Sequence, residues 1–106
     1  MNFELTIGAE IRKTRPAVIL QNDIGNRFGQ TTIVAAVTSK FGPKRYPTEI
    51  LVEPPDAGLR QSSVVLLDQI RTVDKQRLAR KLGRLRSETM ERVERALQVS
   101  LGLITL

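Results

Sequence analysis

The chain of 106 residues contains no cysteine, no histidine and no tryptophan. Without thiols it can form no disulfide bond and no thiolate metal site. The absence of histidine as well excludes the usual zinc ligands, the Ser-His and Cys-His catalytic pairs and the commonest general base. Any catalysis must therefore rely on Arg, Lys, Asp, Glu, Thr, Ser or Tyr46.

Long apolar runs are also missing. No window approaches the roughly 20 apolar residues that a membrane-spanning helix needs, and the N-terminal Met1–Glu4 lacks the basic segment and long apolar stretch of a signal peptide. We therefore expect a cytoplasmic protein that does not contact a membrane. The length predicts a single domain covering residues 1–106.

What the sequence does have is positive charge. Seventeen Lys and Arg residues against eleven Asp and Glu residues give a net charge of +6 and a pI near 10.5. This balance favours a polyanionic partner such as RNA, DNA, an acidic protein tail or an anionic membrane. Charge alone does not choose among them.

Short β-branched, largely apolar runs separated by turn-forming residues indicate several strands. Between residues 71 and 86 the chain carries seven cations and one acid, Asp74, which predicts a short helical turn and a strand with solvated basic faces. The predicted strands before that region are Ala17–Gln21, Thr31–Val37, Thr48–Glu53 and Ser63–Leu67.

The last segment has the pattern of an amphipathic helix. Ser87 is a suitable N-cap, and acidic residues follow in the first turn. Apolar residues at helical spacing predict one face that packs on the sheet or on a second subunit: Met90, Val93, Leu97, Leu101 and Ile104. Several strands followed by a helix favour a mainly β fold of the small-barrel type over a βαβ sheet.

Two polar segments flank the apolar runs. The stretch Gly8–Pro16 places a group of cations before the first run, which predicts a mobile loop hinged at Gly8 and ended by Pro16, where an arginine such as Arg15 can be held. The second run ends in Thr38, Ser39 and Lys40. Two polar strand ends can converge on one ligand.

Taken in order, these segments resemble the MazF/PemK toxins over nearly the whole chain. That resemblance implies an SH3-like small barrel with a C-terminal amphipathic helix, acting as a homodimer. It also implies the toxin of a type II toxin–antitoxin system, a sequence-specific endoribonuclease that needs no metal or other cofactor. The motifs that carry it are KTRPAV (13–18), QNDIGN (21–26), IVAAVT (33–38), PTE (47–49), SVVLLDQIRTVDK (63–75) and the tail 96–103.

Carried over to this sequence, the resemblance makes Arg15 the principal catalytic residue and Thr38 its partner beside the scissile phosphate. The ribose 2′-OH would attack that phosphate and leave a 2′,3′-cyclic phosphate and a 5′-OH. Such a reaction needs in-line positioning and stabilisation of charge in the transition state. An arginine offers a planar fork of donors, and a threonine hydroxyl adds one hydrogen bond.

The acceptor of the 2′-OH proton is left open by the sequence. A guanidinium with a pKa above about 12 is a poor base, so Arg15 is expected to stabilise charge and is a candidate acid. Glu10 and Asp68 are the carboxylates that could accept the proton. In relatives that use an Asp at position 68 as the base, an Arg lies two residues earlier, whereas this chain has Leu66, which favours the Arg15–Thr38 arrangement.

RNA binding is expected to spread from the segment 8–14 and the basic segment 40–46 to Gln69. Cations would meet backbone phosphates, Tyr46 or Phe41 could stack on an unpaired base, and Gln69 could bind a base edge. The predicted catalytic residues are Arg15, Thr38 and Glu10, and the predicted RNA-binding residues are Arg12, Lys13, Thr14, Lys40, Lys44, Tyr46, Asp68 and Gln69.

Expected partners are single-stranded RNA, an acidic antitoxin and a second copy of the chain, with DNA reached only through the antitoxin complex. Relatives begin with a Gly-Asp and an apolar strand, and Met1 falls inside that strand. This predicts either a late start or a barrel lacking part of an edge strand, and with it the alternative of a homologue that binds antitoxin or RNA without cleaving. A gyrase poison of the CcdB type ranks last, because it depends on a C-terminal tryptophan.

Overall fold

The computed structural model describes residues 4–10, 13–20 and 29–105, and their side chains at 16–20, 29–78 and 82–105. These ranges contain six strands, two 3₁₀ turns and one helix. The elements are β1 (Glu4–Glu10), β2 (Lys13–Ile19), β3 (Thr31–Thr38), β4 (Glu49–Val52), a 3₁₀ turn (Asp56–Gly58), β5 (Ser63–Asp74), a second 3₁₀ turn (Lys75–Arg77), β6 (Leu78–Arg84) and α1 (Ser87–Ser100).

The strands form one antiparallel sheet in the order β4-β5-β3-β2-β1-β6. Neighbours in this order include the consecutive pairs β1–β2, β2–β3 and β4–β5, which short connections favour. The strand predicted at Ser63–Leu67 extends further, to Asp74. The predicted helical turn and basic strand follow it. The mainly β architecture with a C-terminal helix is confirmed.

The segment around Gly8 differs from the prediction of a hinged loop. Gly8 lies inside β1 and pairs with Arg15 on one side and with Leu78 on the other, and Pro16 lies inside β2. Pairing with strands distant in the sequence overrides the local loop signal. Pairing of β2 with β3 begins only at Ala17, directly after Pro16, which has no N–H to donate.

The same pairing corrects one part of the prediction for the first strand, its place at an edge of the barrel. β1 is bonded to both β2 and β6, so it is an interior strand of the sheet. The two strands at the ends of the recorded order are β4 and β6. At the edge of the sheet formed by β4, the Arg92 guanidinium of α1 donates to the Leu51 carbonyl at 3.1 Å. This contact covers one backbone acceptor of the edge strand.

The core lies between the sheet and α1. Alternate residues of the central strands point into it, and one stripe of the helix closes it. Burial of such apolar side chains is the main favourable term in folding. Its buried members are Val18, Leu20, Ala35, Val37, Val52, Ala57, Val65, Leu67, Leu85, Val93 and Ala96, with Met90 and Leu97 among the partly buried side chains packed against them.

The start of α1 is fixed by a carboxylate from elsewhere in the chain. Ser87 was predicted as N-cap, but Arg86 holds that position and makes no side-chain cap bond. Instead Asp56, which is only 6% exposed, accepts from the Arg86 backbone N–H at 2.9 Å and from the Thr89 hydroxyl at 2.6 Å. A carboxylate at this end also suits the helix dipole, so the first 3₁₀ turn docks the helix.

The other end of α1 stops earlier than predicted. Gly102 adopts φ 72°, the Leu103 N–H donates to the Gln98 carbonyl at 2.8 Å, and the Gly102 N–H donates to the Val99 carbonyl at 3.1 Å. This is a Schellman motif. Leu101 and Ile104 therefore lie beyond the helix, whereas Met90, Val93 and Leu97 pack as expected. In the part of the chain described, no helix is long and apolar enough to cross a membrane.

We predict that Asp56→Ala lowers the free energy of unfolding by about 2–3 kcal/mol, because it leaves a buried hydroxyl and a helix-start N–H without their acceptor. Urea unfolding followed by circular dichroism measures the change. Asp74→Ala is the control, since its carboxylate receives one backbone N–H at an exposed position, and it should cost about 1 kcal/mol. Equal losses for the two variants would contradict the docking role of Asp56.

Candidate active site and RNA-binding groove

The strand register aligns residues of different strands in one row across the sheet. Leu51 pairs with Val64, Val64 with Thr38, and Gly8 with both Arg15 and Leu78. The recorded β2–β3 pairs start at Ala17↔Ala36, and the same register continued by two residues sets Arg15 opposite Thr38. Pairing itself ends at Ala17, and the cavity described below lies beyond it, with Pro16, Ala17 and Thr38 in its lining.

A large bulge interrupts the pairing of β3 with β5 next to this row. Ala35 pairs with Ile70 but Ala36 pairs with Leu66, so three consecutive residues of β5 have no recorded partner on β3. They are Leu67, Asp68 and Gln69. On the other side of β5 the Leu67 N–H donates to the Thr48 carbonyl at 2.9 Å. Bulges often redirect side chains at functional sites, and this one leaves Asp68 and Gln69 exposed.

A cavity of about 840 Å³ lies beside the bulge and the end of β3. Its lining combines apolar strand residues with hydroxyl, amide and cationic side chains. That mixture suits a ligand with both phosphate and base surfaces. The polar residues of the lining are Thr38, Ser39, Lys40, Ser63, Gln69, Arg71 and Arg77.

The Thr38 hydroxyl is fixed by the turn that follows β3. It accepts from the Lys40 N–H at 3.1 Å and donates to the Lys40 carbonyl at 3.2 Å. A threonine that closes such a turn has a restricted side-chain orientation. A ligand that accepts from this hydroxyl must replace the Lys40 carbonyl, while the bond from the Lys40 N–H can persist.

Residues 40–48, which we call the basic loop, follow this turn and end beside the bulge. The loop contains two cation–aromatic pairs. The Arg45 guanidinium lies 4.6 Å from the centre of the Phe41 ring, and the Lys44 ammonium lies 5.2 Å from the centre of the Tyr46 ring. Such pairs are attractive even at exposed positions.

The predicted site residues fall into three groups. Thr38, Lys40 and Gln69 line the cavity, with Asp68 exposed at the bulge. Lys44 and Tyr46 lie on the basic loop, outside the described lining. Of the hairpin residues, the structure gives backbone pairing alone for Glu10, Lys13, Thr14 and Arg15, and Arg12 lies outside the described residues.

Two cavity-lining cations were not selected from the sequence. Arg71 and Arg77 were assigned to a solvated basic face, yet both contribute to the cavity. A signal for Arg71 was available, because Gln69 and Arg71 are two residues apart on one strand and share a face. No local signal marks Arg77, whose position depends on the 3₁₀ turn between β5 and β6.

The sequence matches a known family over most of its length. Residues 1–101 match the model described as "PemK-like, MazF-like toxin of type II toxin-antitoxin system". The chain is 47% identical over 98 residues to the protein named Endoribonuclease EndoA of Bacillus subtilis (strain 168), which covers 92% of this chain and 84% of that protein.

Solved structures give the same result. The Mycobacterium tuberculosis toxin MazF-mt6 superimposes with a TM-score of 0.83 at 25% identity, covering 96% of this chain and 99% of that one. A MazE-MazF crystal structure (Form-II) from Deinococcus radiodurans matches with a TM-score of 0.77 at 28% identity, covering 93% of this chain and 91% of that one. The small-barrel fold class is confirmed.

We predict that Thr38→Val lowers the free energy of unfolding by about 1 kcal/mol, because it removes the hydroxyl that closes the turn at the end of β3. Thr38→Ser retains the hydroxyl and should cost less. Urea titration of both variants measures the difference. Unchanged stability in Thr38→Val would contradict the stabilising role of the Thr38 hydroxyl in the turn.

Proposed function

The chain belongs to the PemK-like, MazF-like toxins of type II toxin–antitoxin systems, and we propose that it cleaves single-stranded mRNA at specific sequences without a metal ion. Membership confirms the toxin–antitoxin endoribonuclease function inferred from the sequence. The products, the substrate form and the residues involved are proposals.

The observation that carries the proposal is the cavity at the end of β3, whose lining joins Thr38 and several cations to Pro16 and Ala17 of β2. The β2–β3 register, if continued by two residues, would set Arg15 opposite Thr38 there. In RNA the nucleophile is part of the substrate, so the protein has to orient the 2′-OH in line with the leaving oxygen and to stabilise charge on the phosphate. Arg15 would donate to two phosphate oxygens, and Thr38 would donate one further hydrogen bond. The products would be a 2′,3′-cyclic phosphate and a 5′-OH.

Two carboxylates, those of Glu10 and Asp68, are candidates to accept the proton of the 2′-OH in this proposal. Glu10 is paired with Lys13 in the backbone register of the β1–β2 hairpin, on the strand that also carries Gly8 opposite Arg15. Asp68 lies exposed at the bulge, next to Gln69. Either carboxylate could accept the 2′-OH proton, while the guanidinium stabilises the transition state.

The groove supplies binding as well as chemistry. Lys40, Arg71 and Arg77 give the cavity a cationic lining that suits backbone phosphates, and the Gln69 amide can both donate to and accept from a base edge. Arg12, Lys13 and Thr14 would extend the contact along the hairpin. A few base contacts beside many phosphate contacts are enough to give sequence-specific cleavage.

The proposed partners follow from charge and from the solved relatives. An acidic antitoxin would occupy the cationic groove and exclude RNA, with charge complementarity speeding its association. A homodimer in the cytoplasm, with DNA contacted only through the antitoxin complex, completes the proposal. The binding-only alternative assumed that the first strand lies at an edge of the barrel, whereas β1 is paired on both sides.

We predict that the purified chain cuts a long single-stranded RNA at discrete positions in the presence of EDTA and leaves 5′-OH ends. Arg15→Ala should lower kcat at least about 100-fold, since it removes the main donors to the transition state. Thr38→Val should lower kcat about tenfold, the effect of one lost hydrogen bond. Primer extension maps the cuts, and end labelling identifies the termini.

Arg60→Ala is the matched control, because Arg60 is an exposed arginine outside the cavity lining. Its kcat should stay within about twofold of the parent chain. Cleavage that depends on added Mg²⁺, or full activity in Arg15→Ala, would contradict the proposed mechanism. No cleavage by a folded parent chain would favour the binding-only homologue.

A further inference from the structure

Glu49 is the residue that organises the end of the basic loop. Its carboxylate oxygen Oε1 accepts from the Tyr46 backbone N–H at 3.2 Å and contacts the Arg45 guanidinium at 3.5 Å. The Glu49 N–H in turn donates to the Tyr46 carbonyl at 2.9 Å. The Glu49 side chain is 18% exposed, and its contacts hold a tight turn at the end of the loop.

Arg45 is used within the loop. Besides Glu49, its guanidinium donates to the carbonyl oxygens of Lys44, at 2.9 Å, and of Gly42. It also lies over the Phe41 ring. A guanidinium with this many internal contacts would have to give several of them up to bind a phosphate, so Arg45 and Phe41 act as the internal brace of the basic loop.

Lys44 and Tyr46 face outward from this brace. The Tyr46 side chain is 54% exposed, and the Lys44 ammonium is near its ring. An exposed aromatic ring beside a cation is the arrangement by which proteins bind single-stranded nucleic acid, because the ring stacks on a base and the cation meets a phosphate. An acidic peptide would match the lysine but would leave the ring without a partner.

The loop also lies at the right place. The carbonyl of Thr48, the residue before Glu49, accepts a hydrogen bond from the Leu67 N–H. Asp68 and Gln69 of the bulge come directly after Leu67 in the chain. The turn that carries Tyr46 is therefore anchored to the strand whose bulge provides Gln69 to the cavity. The first residue of the loop, Lys40, lines the cavity, so the loop continues directly from the groove.

We propose that the basic loop is a separate subsite for one unpaired nucleotide flanking the cleaved bond, with its base on Tyr46 and its phosphate on Lys44. Glu49 is the positioning residue of this subsite, and Arg45 braces it without binding RNA. The inference rests on the proposed function, since it names the part of the substrate that the loop binds. It adds a specificity determinant outside the cavity.

The first test concerns the free protein. Glu49→Ala should speed hydrogen exchange of the Tyr46 amide at least about tenfold, because that N–H loses its acceptor. Glu49→Gln keeps an acceptor oxygen and should protect the amide more than Glu49→Ala does. Glu53→Ala is the matched control, since Glu53 follows the other end of β4 and receives the Ser62 hydroxyl at 2.6 Å. Unchanged exchange in Glu49→Ala would overturn the positioning role.

The second test concerns RNA. Tyr46→Leu should raise KM about tenfold, the weakening expected for one lost stacked base, with kcat within about twofold, and it should relax the base preference at one flanking position. Tyr46→Phe should restore both. Glu49→Ala should shift KM and preference in the same direction, whereas Glu53→Ala should not. Steady-state cleavage of RNAs that differ at single positions gives these values.

A third measurement separates the subsite from the proposed reaction. Anisotropy with a 2′-O-methyl RNA, which lacks the attacking hydroxyl, reports binding alone, and Tyr46→Leu should weaken it about tenfold. If the parent chain fails to cut RNA but this loss is seen, the proposed cleavage fails and the subsite stands. If Tyr46→Leu leaves KM, cut positions and 2′-O-methyl RNA binding unchanged, or weakens only binding of poly-glutamate, the subsite is overturned.

Discussion

The register of β2 between its neighbours is the constraint on which the candidate site depends. β1 fixes Arg15 against Gly8, and the short ladder with β3 pairs Ala17 with Ala36, two residues from Arg15 and from Thr38. Because side chains alternate along a strand, a slip of one residue would turn every position of β2 to the opposite face. Burial of Val18 and Leu20 in the core opposes such a slip. Core packing thus sets the geometry at the cavity.

Much of this could be read from the sequence, and the errors share a cause. The apolar runs, the basic strand and the C-terminal helix were predicted from patterns that act within one element, and the residues chosen at the end of β3 line the cavity. Gly8 was misread as a hinge because one of its two pairings is with Leu78, 70 residues further along the chain. Ser87 was misread as a cap because the actual acceptor, Asp56, lies in another turn.

The positive charge of the chain has several separate uses. Arg92 covers a backbone carbonyl of β4, and Arg45 braces the basic loop, so both guanidinium groups make structural contacts within the fold. Other cations line the cavity. A count of lysines and arginines correctly indicates a polyanionic partner, but it cannot tell these uses apart, because each depends on which carbonyl, ring or cavity the folded chain places beside the guanidinium.

The two ends of α1 are stabilised over very different sequence distances. The C-terminal end is closed by bonds from Gly102 and Leu103 to the last turn of the same helix, and such contacts are available to the unfolded chain. The N-terminal end depends on Asp56, which donors 30 and 33 residues away must reach. The first turn of the helix is therefore complete only when the folded chain has brought Asp56 next to Arg86 and Thr89. The start of α1 at Ser87 thus depends on tertiary structure, whereas its end at Ser100 depends on the local sequence.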